Sequence, residues 1–166
     1  MKKIFILIVF TIFLLTSSSC VKKEIPDDFE FSFTWGCYGI SSYDSETGLL
    51  VKTKDATMPE LYQTTYILSK EEKQEIKNII SKLNIDNYPD KYNPNPLKGS
   101  NPSMTLIITL KYDGYEKTVV SEDIALDFTS ITFKGNKFLG TSKTLIRFFQ
   151  ETDEWKALPD YEFYYD

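Results

Sequence analysis

The sequence predicts an α+β domain in which two main helices pack on one side of an antiparallel β-sheet. Three observations predict this class. Apolar and polar residues alternate in several short segments, apolar residues follow helical spacing in two others, and an Asp-Gly pair joins two alternating segments. Along the chain the order is strands, a helix, strands and a second helix, which is typical of α+β domains.

Residue alternation and turn residues predict the first strands. Four aromatic residues alternate with polar residues over residues 29–35, which indicates a strand with one buried face. Residues 40–43 and 49–53 flank a polar turn that ends in Gly48, so we expect them to form a hairpin. Residues 62–68, rich in Tyr, Thr and Ile, are predicted to form a further strand.

The first helix begins at Ser69, which forms a capping box with Glu72. Four apolar residues then follow the spacing i, i+3, i+4 and i+7, so they lie on one face of a helix that ends near Asn84. A second helix is predicted over residues 142–152, where four apolar residues again follow helical spacing.

Between the helices, the chain alternates again over residues 105–112 and 115–120. The Asp113-Gly114 pair between them predicts a type I′ hairpin turn. A long loop over residues 86–102 precedes this hairpin. Its oxygen-rich part, residues 86–93, lacks the spacing of an EF-hand, so a plain loop is preferred over a calcium site and no metal ligand is predicted.

The first nineteen residues predict export. Lys2 and Lys3 precede an apolar run over residues 4–15, and small residues lead into Cys20. This is the layout of a secretory signal peptide. A bilayer-spanning helix needs roughly 20 apolar residues, so the run is too short to be read as a membrane span.

Cys20 is the predicted site of lipid attachment. Small residues directly before a cysteine resemble the lipobox of bacterial lipoproteins, although Ser17 stands where the lipobox prefers Leu. We therefore expect residues 1–19 to be removed, residues 20–28 to form a lipidated tether, and residues 29–166 to form a single domain held at a membrane. The alternative is cleavage by ordinary signal peptidase, which leaves a secreted soluble protein.

Charge and composition exclude several function classes. After residue 19 the chain has 17 basic and 24 acidic side chains and no histidine. A net charge of −7 disfavours nucleic acid as a partner, because binding to phosphates needs clustered Lys and Arg. The missing histidine removes Ser-His and Cys-His catalysis, and there is no Gly-rich phosphate loop. We predict no catalytic residue and no cofactor.

Aromatic residues supply the candidate ligand-binding positions. Tyr and Trp have an apolar body and a polar tip, which suits them to binding surfaces. The Gly-punctuated segment around the first hairpin nominates Trp35, Tyr38 and Tyr43, although most aromatic residues are expected in the core. A second aromatic group lies near the end of the chain, at Trp155, Tyr161 and Tyr164. If Cys20 is lipidated, Cys37 has no intrachain partner, and we expect it to be buried at a strand end.

Four segments together resemble uncharacterised bacterial lipoproteins. These are residues 33–39 (Phe-Thr-Trp-Gly-Cys-Tyr-Gly), 43–45 (Tyr-Asp-Ser), 88–89 (Tyr-Pro) and 154–159 (Glu-Trp-Lys-Ala-Leu-Pro). The resemblance spans most of the chain after Cys20. It implies the membrane anchor and implies no particular activity.

Three functional classes follow from the sequence, in decreasing order of preference. The first is a non-enzymatic module of the cell envelope that binds a protein or another envelope component. The second is an aromatic-faced binder of sugars or peptides. The third is a carboxylate-based hydrolase, which requires two acidic groups in one cleft. The sequence leaves the specific ligand or partner open, including an envelope protein or a glycan.

Overall fold

The computed structural model describes residues 24–161. The predicted signal peptide, Cys20 and Tyr164 lie outside these residues. Within them, six strands form one sheet in the order β4-β3-β2-β1-β5-β6, and each strand is antiparallel to its neighbours. The strands are β1 (Glu30–Trp35), β2 (Ser41–Asp44), β3 (Leu49–Val51), β4 (Gln63–Thr65), β5 (Met104–Tyr112) and β6 (Tyr115–Ile124).

Strand β1 lies inside the sheet and shows why alternation predicted it. Phe31, Phe33 and Trp35 are buried, whereas the polar residues between them are partly exposed. Phe33 pairs with Tyr43 of β2 on one side and with Ile108 of β5 on the other. Because directly paired residues share a sheet face, these side chains form one continuous apolar face.

The turn chemistry of the β5–β6 hairpin is confirmed. Asp113 and Gly114 both have positive φ, at 46° and 72°. Positive φ at both central residues is what a type I′ turn requires. Strand β6 continues beyond the predicted end at residue 120 to Ile124, and the segment around Lys91 pairs with its outer edge through a parallel bridge to Val120.

Helix α1 (Lys70–Leu83) has the predicted capping box. The Ser69 hydroxyl accepts a bond from the Glu72 amide at 3.2 Å, and Glu72 Oε2 accepts one from the Ser69 amide at 2.8 Å. The buried residues of α1 are Ile76, Ile80 and Leu83. The helix ends at Asn84, which adopts the left-handed conformation.

Helix α2 (Phe133–Gln150) begins nine residues before the predicted start at Ser142. Thr132 caps it by accepting a bond from the Gly135 amide at 2.9 Å. The first half contains Gly135 and Gly140, and glycine weakens the helical signal of a sequence. A short helix α3 (Asp153–Ala157) follows, capped by Thr152.

The predicted strand over residues 62–68 is largely wrong. A 3₁₀ turn occupies Pro59–Tyr62, and only Gln63–Thr65 pair with β3. Tyr66 lies just beyond this edge strand, where its side chain is buried and its hydroxyl donates to Glu72 of α1 at 2.6 Å. Strand propensity therefore predicted a strand at Tyr66, a residue that contacts helix α1 and does not extend the sheet.

Both helices pack on the apolar face of the sheet, so the predicted α+β class with helices on one side is confirmed. Phe149 of α2 contacts Tyr43 and Trp35 with ring centroids 4.6 and 5.7 Å apart. The buried residues of α1 belong to the same core, which also includes Ile25. Packing of the domain thus begins upstream of the predicted boundary at Phe29. No helix within residues 24–161 combines the length and apolar character that crossing a bilayer requires.

Candidate ligand-binding cavity

A cavity of about 860 Å³ lies between the end of β1 and helix α2. Sites for small molecules are typically ~300–1,000 Å³ and mostly apolar. Six apolar side chains contribute to its wall: Trp35, Ile40, Met104, Leu126, Phe128 and Ile146. These side chains come from three separate parts of the chain: the end of the sheet, the segment that follows β6, and helix α2.

The sheet side of the cavity depends on the turn that follows β1. Gly36 has a φ of 98°, a conformation that side chains rarely adopt, and its carbonyl accepts bonds from the Gly39 and Thr105 amides at 3.1 and 3.0 Å. This turn holds Cys37 opposite Met104 in an isolated antiparallel bridge. The glycines that the sequence showed at this point therefore shape the cavity wall.

Trp35 is held firmly in the cavity wall. Its side chain is 2% exposed, and its ring centroid lies 5.1 Å from that of Phe33 and 5.4 Å from that of Trp155. The indole Nε1 is buried and has no hydrogen-bond acceptor among residues 24–161. A buried donor without a partner costs about 1–3 kcal/mol, so the aromatic packing of Trp35 offsets a polar penalty.

The three predicted ligand-binding residues are not brought together. Trp35 lines the cavity. Tyr38 is 49% exposed but lies outside the cavity wall, and its hydroxyl donates to Asn101 Oδ1 at 2.6 Å. Tyr43 is 1% exposed, its hydroxyl donates to the Tyr66 carbonyl at 3.1 Å, and burial raises its pKa to about 12. Tyr43 is therefore a core residue, because its strand directs it beneath α2.

Helix α2 forms the opposite wall. Gly140, Lys143, Thr144 and Arg147 line the cavity at the spacing i, i+3, i+4 and i+7, which places them on one helix face. A Cβ atom added at Gly140 would meet nothing within 4 Å. The absence of a side chain at this position therefore leaves room in the cavity.

Tyr161 closes one side of the cavity, and Lys52 holds the segment that leads to it. The Lys52 ammonium is buried, donates to the Leu158 carbonyl at 3.1 Å and lies 5.9 Å from the Tyr161 ring centroid. The hydroxyls of Ser41 and Tyr161 are 3.3 Å apart. Burial raises the pKa of Tyr161, so its hydroxyl stays protonated at neutral pH.

Charge at the cavity is positive although the chain is acidic. Lys143 and Arg147 are exposed on its wall, and Lys143 has no ion pair with any residue in the described part of the chain. The carboxylate in the lining, Asp127, is paired with Lys98, which lowers its pKa. Arg147 lies 4.0 Å from Glu151 in a pair exposed by about 70%, a geometry that contributes little.

Cys37 is only partly buried, whereas the sequence predicted a buried thiol at a strand end, and this partial burial raises its pKa. It lines the cavity. A thiol with a raised pKa is a weak nucleophile near neutral pH, because the thiolate is the reactive form. Its position nevertheless makes it a chemical reporter of cavity occupancy.

The oxygen-rich part of the predicted loop, residues 86–93, uses its carboxylates in contacts with protein side chains. Asp86 accepts a bond from the Tyr115 hydroxyl, and Asp90 pairs with Lys117 at 2.5 Å. Residues 24–161 contain no group of three Cys, Asp or Glu side chains that could hold a metal ion.

Sequence reasoning missed the α2 wall. The spacing of Gly140, Lys143, Thr144 and Arg147 was readable, but it overlaps the apolar stripe that predicted the buried face of the helix. Only the position of α2 against the sheet reveals that this second face borders a cavity. No family model, no curated protein and no solved structure matches the chain.

Proposed function

We propose that the chain is an exported lipoprotein, anchored through Cys20, whose domain is a non-enzymatic binding module of the cell envelope. The cavity beside Trp35 is its binding site. The anchor rests on the signal-peptide layout and the position of Cys20. The binding role rests on a single observation, the mainly apolar cavity of about 860 Å³ that three parts of the chain build together.

The lining supports a ligand with apolar surface more than it supports a sugar. Sugar-binding sites present exposed aromatic faces, whereas Trp35 is 2% exposed and Tyr43 lies in the core. The carboxylate-based hydrolase receives less support, because the described lining includes one carboxylate, Asp127, which Lys98 already engages.

Mass spectrometry of the N-terminal peptide from the native host tests the anchor. We expect a diacylglycerol mass on Cys20 and loss of membrane association in Cys20→Ser, because two acyl chains hold a protein firmly at a bilayer. An unmodified Cys20 in the native protein would instead support the secreted alternative.

Photocrosslinking in cells tests the cavity. A photoreactive phenylalanine at Gln150, an exposed cavity residue, is compared with the same group at Lys82 on α1. We expect an adduct specific to Gln150 that persists in Gly140→Ala and is strongly reduced in Gly140→Phe, which places a large side chain in the cavity. Equal adducts at both positions, no adduct, or an adduct that Gly140→Phe leaves unchanged would overturn the binding proposal.

A further inference from the structure

We propose that the cavity binds a long-chain carboxylate, an acyl tail with a single anionic head. This inference rests on the proposed function and names its ligand class. Three features of the cavity favour this ligand: its apolar wall, its cationic rim and the space that Gly140 leaves open.

The apolar wall defines where a tail would lie. Trp35, Ile40 and Met104 come from the sheet end, and Ile146 faces them from α2. Leu126 is 50% exposed at the margin. Trp35 is 2% exposed and Ile40 and Met104 are 8% exposed, so these side chains form the floor of the cavity. A tail would bury the more exposed Leu126, Phe128 and Ile146, and each methylene that it buries contributes about 0.8 kcal/mol.

The cationic rim defines the head. Lys143 and Arg147 are one turn apart on the α2 face that lines the cavity. Asp127 is engaged by Lys98, and the pair of Arg147 with Glu151 is about 70% exposed and contributes little, so both cations remain available to a ligand. A chain with an excess of acidic side chains thus places two cations at the mouth of its apolar cavity.

A carboxylate fits this rim because Arg and Lys form charge-assisted hydrogen bonds with it. A neutral alcohol of the same length could use the apolar wall but not the charges. An alkyl cation of the same length would be repelled by them. Comparing the affinities of these three ligands therefore separates the contribution of the apolar wall to binding from the contribution of the charged rim.

The experiment measures alkylation of Cys37, which lines the cavity. In the chain carrying Cys20→Ser, Cys37 is the remaining thiol. Labelling by a maleimide is followed at a pH near 8.5, close to the ordinary thiol pKa. Dodecanoate, dodecanol and dodecyltrimethylammonium are compared below their micelle-forming concentrations.

We expect dodecanoate at ten times its Kd to slow the labelling about tenfold. Lys143→Gln combined with Arg147→Gln should raise the Kd for dodecanoate about fivefold to tenfold, since each exposed ion pair contributes at most ~1 kcal/mol. The Kd for dodecanol should not change. Lys137→Gln, on the same helix but outside the cavity lining, is the matched control and should behave like the parent chain.

The steric control uses Gly140. Gly140→Phe should strongly weaken protection by dodecanoate and by dodecanol, whereas Gly140→Ala should weaken it much less. Both variants are expected to fold, because the added Cβ meets nothing within 4 Å and replacing a helical glycine favours the helix.

The outcomes separate the two proposals. Equal protection by dodecanoate and dodecanol, with no effect of the charge substitutions, would overturn the carboxylate while leaving the binding site in place. Protection by none of the three probes, or protection unaffected by Gly140→Phe, would overturn both. If removal of residues 162–166 is required before dodecanoate protects Cys37, the natural occupant is this aromatic and acidic segment of the chain, and the external carboxylate is wrong.

Discussion

Helix α1 and helix α2 lie on the same face of the sheet but use their surfaces differently. Helix α1 buries one apolar stripe and presents charged residues elsewhere. Helix α2 buries one face beneath Tyr43 and Trp35, and a second face lines the cavity. In α1 a single apolar stripe accounts for the packing of the helix. In α2 the apolar residues are less regularly spaced, because one face packs in the core and a second face lines a cavity.

The largest effect should come from removing the aromatic side chain that α2 places in the core. Phe149 is fully buried and contacts four aromatic rings, three of them on the sheet. We expect Phe149→Ala to lower the free energy of unfolding by about 3–5 kcal/mol, through lost burial and a remaining void. Urea unfolding measures this loss. Phe133→Ala, on the same helix but 87% exposed, is the control and should change stability by less than about 0.5 kcal/mol.

The two glycines of α2 should respond in opposite directions. A Cβ at Gly135 would lie 2.6 Å from the Pro94 carbonyl oxygen, so Gly135→Ala should destabilise the domain by about 1–3 kcal/mol. Gly140→Ala should stabilise it by about 0.5–1 kcal/mol, because its Cβ points into open space. Thermal unfolding of both variants checks the signs. A loss of stability in Gly140→Ala would contradict the open space beside that glycine, and a gain in Gly135→Ala would contradict its close contact with the Pro94 carbonyl.

The N-terminal caps of the two helices, Ser69 and Thr132, differ in their hydrogen bonds. Ser69 and Thr132 each accept a bond from a backbone amide, but the Ser69 hydroxyl also donates to Glu72 Oε2 at 2.7 Å. We expect Ser69→Ala and Thr132→Ala each to cost about 0.5–2 kcal/mol, with the larger loss at Ser69. Denaturant unfolding measures both losses. A larger loss at Thr132 would mean that the first half of α2 depends on its cap more than α1 does.

The smallest expected effect is on the pH dependence of stability, through the contact between Tyr66 and Glu72 of α1. The Tyr66 hydroxyl, followed by the Ser69 bonds, lowers the pKa of Glu72. A lowered carboxyl pKa adds stability above the pKa of the unfolded state, near 4.3, which is lost as pH falls through the folded value. Tyr66→Phe should therefore reduce the acid-dependent loss of stability by less than about 1 kcal/mol, since Glu72 is partly exposed.

Urea unfolding between pH 3 and pH 7 measures this difference between the parent chain and Tyr66→Phe. Glu71→Gln is the matched control, because Glu71 is an exposed neighbour in the same first turn. If the free energy of unfolding of Tyr66→Phe changes with pH as it does in the parent chain, the Tyr66 hydroxyl does not lower the pKa of Glu72.

Much of the fold could be predicted because its signals are local. The alternation of β1, the capping box at Ser69 and the Asp113-Gly114 turn each depend on neighbouring residues, and the structure confirms all three. Residues 62–68 were predicted wrongly because strand propensity does not distinguish residues that pair in a sheet from residues, such as Tyr66, that pack against a helix.

The candidate site could be predicted only in part. Trp35 and the glycine turn after it were identified as unusual, and both border the cavity. Tyr43 was nominated with them because it is close in sequence, but strand pairing places it in the core opposite Phe33. The wall formed by Lys143 and Arg147 was missed, because these residues are more than one hundred positions from Trp35 in the chain.

The sequence by itself determined the α+β class, the first helix and its cap, and the tight hairpin, since each depends on interactions within a few residues. It also carries the predicted signal peptide and Cys20, which lie outside the described residues. Only the tertiary structure decided that Trp35, Met104 and the second face of α2 line one open cavity. The physical reason is that a cavity is the space between elements, and its shape depends on how distant segments pack and not on any one of them.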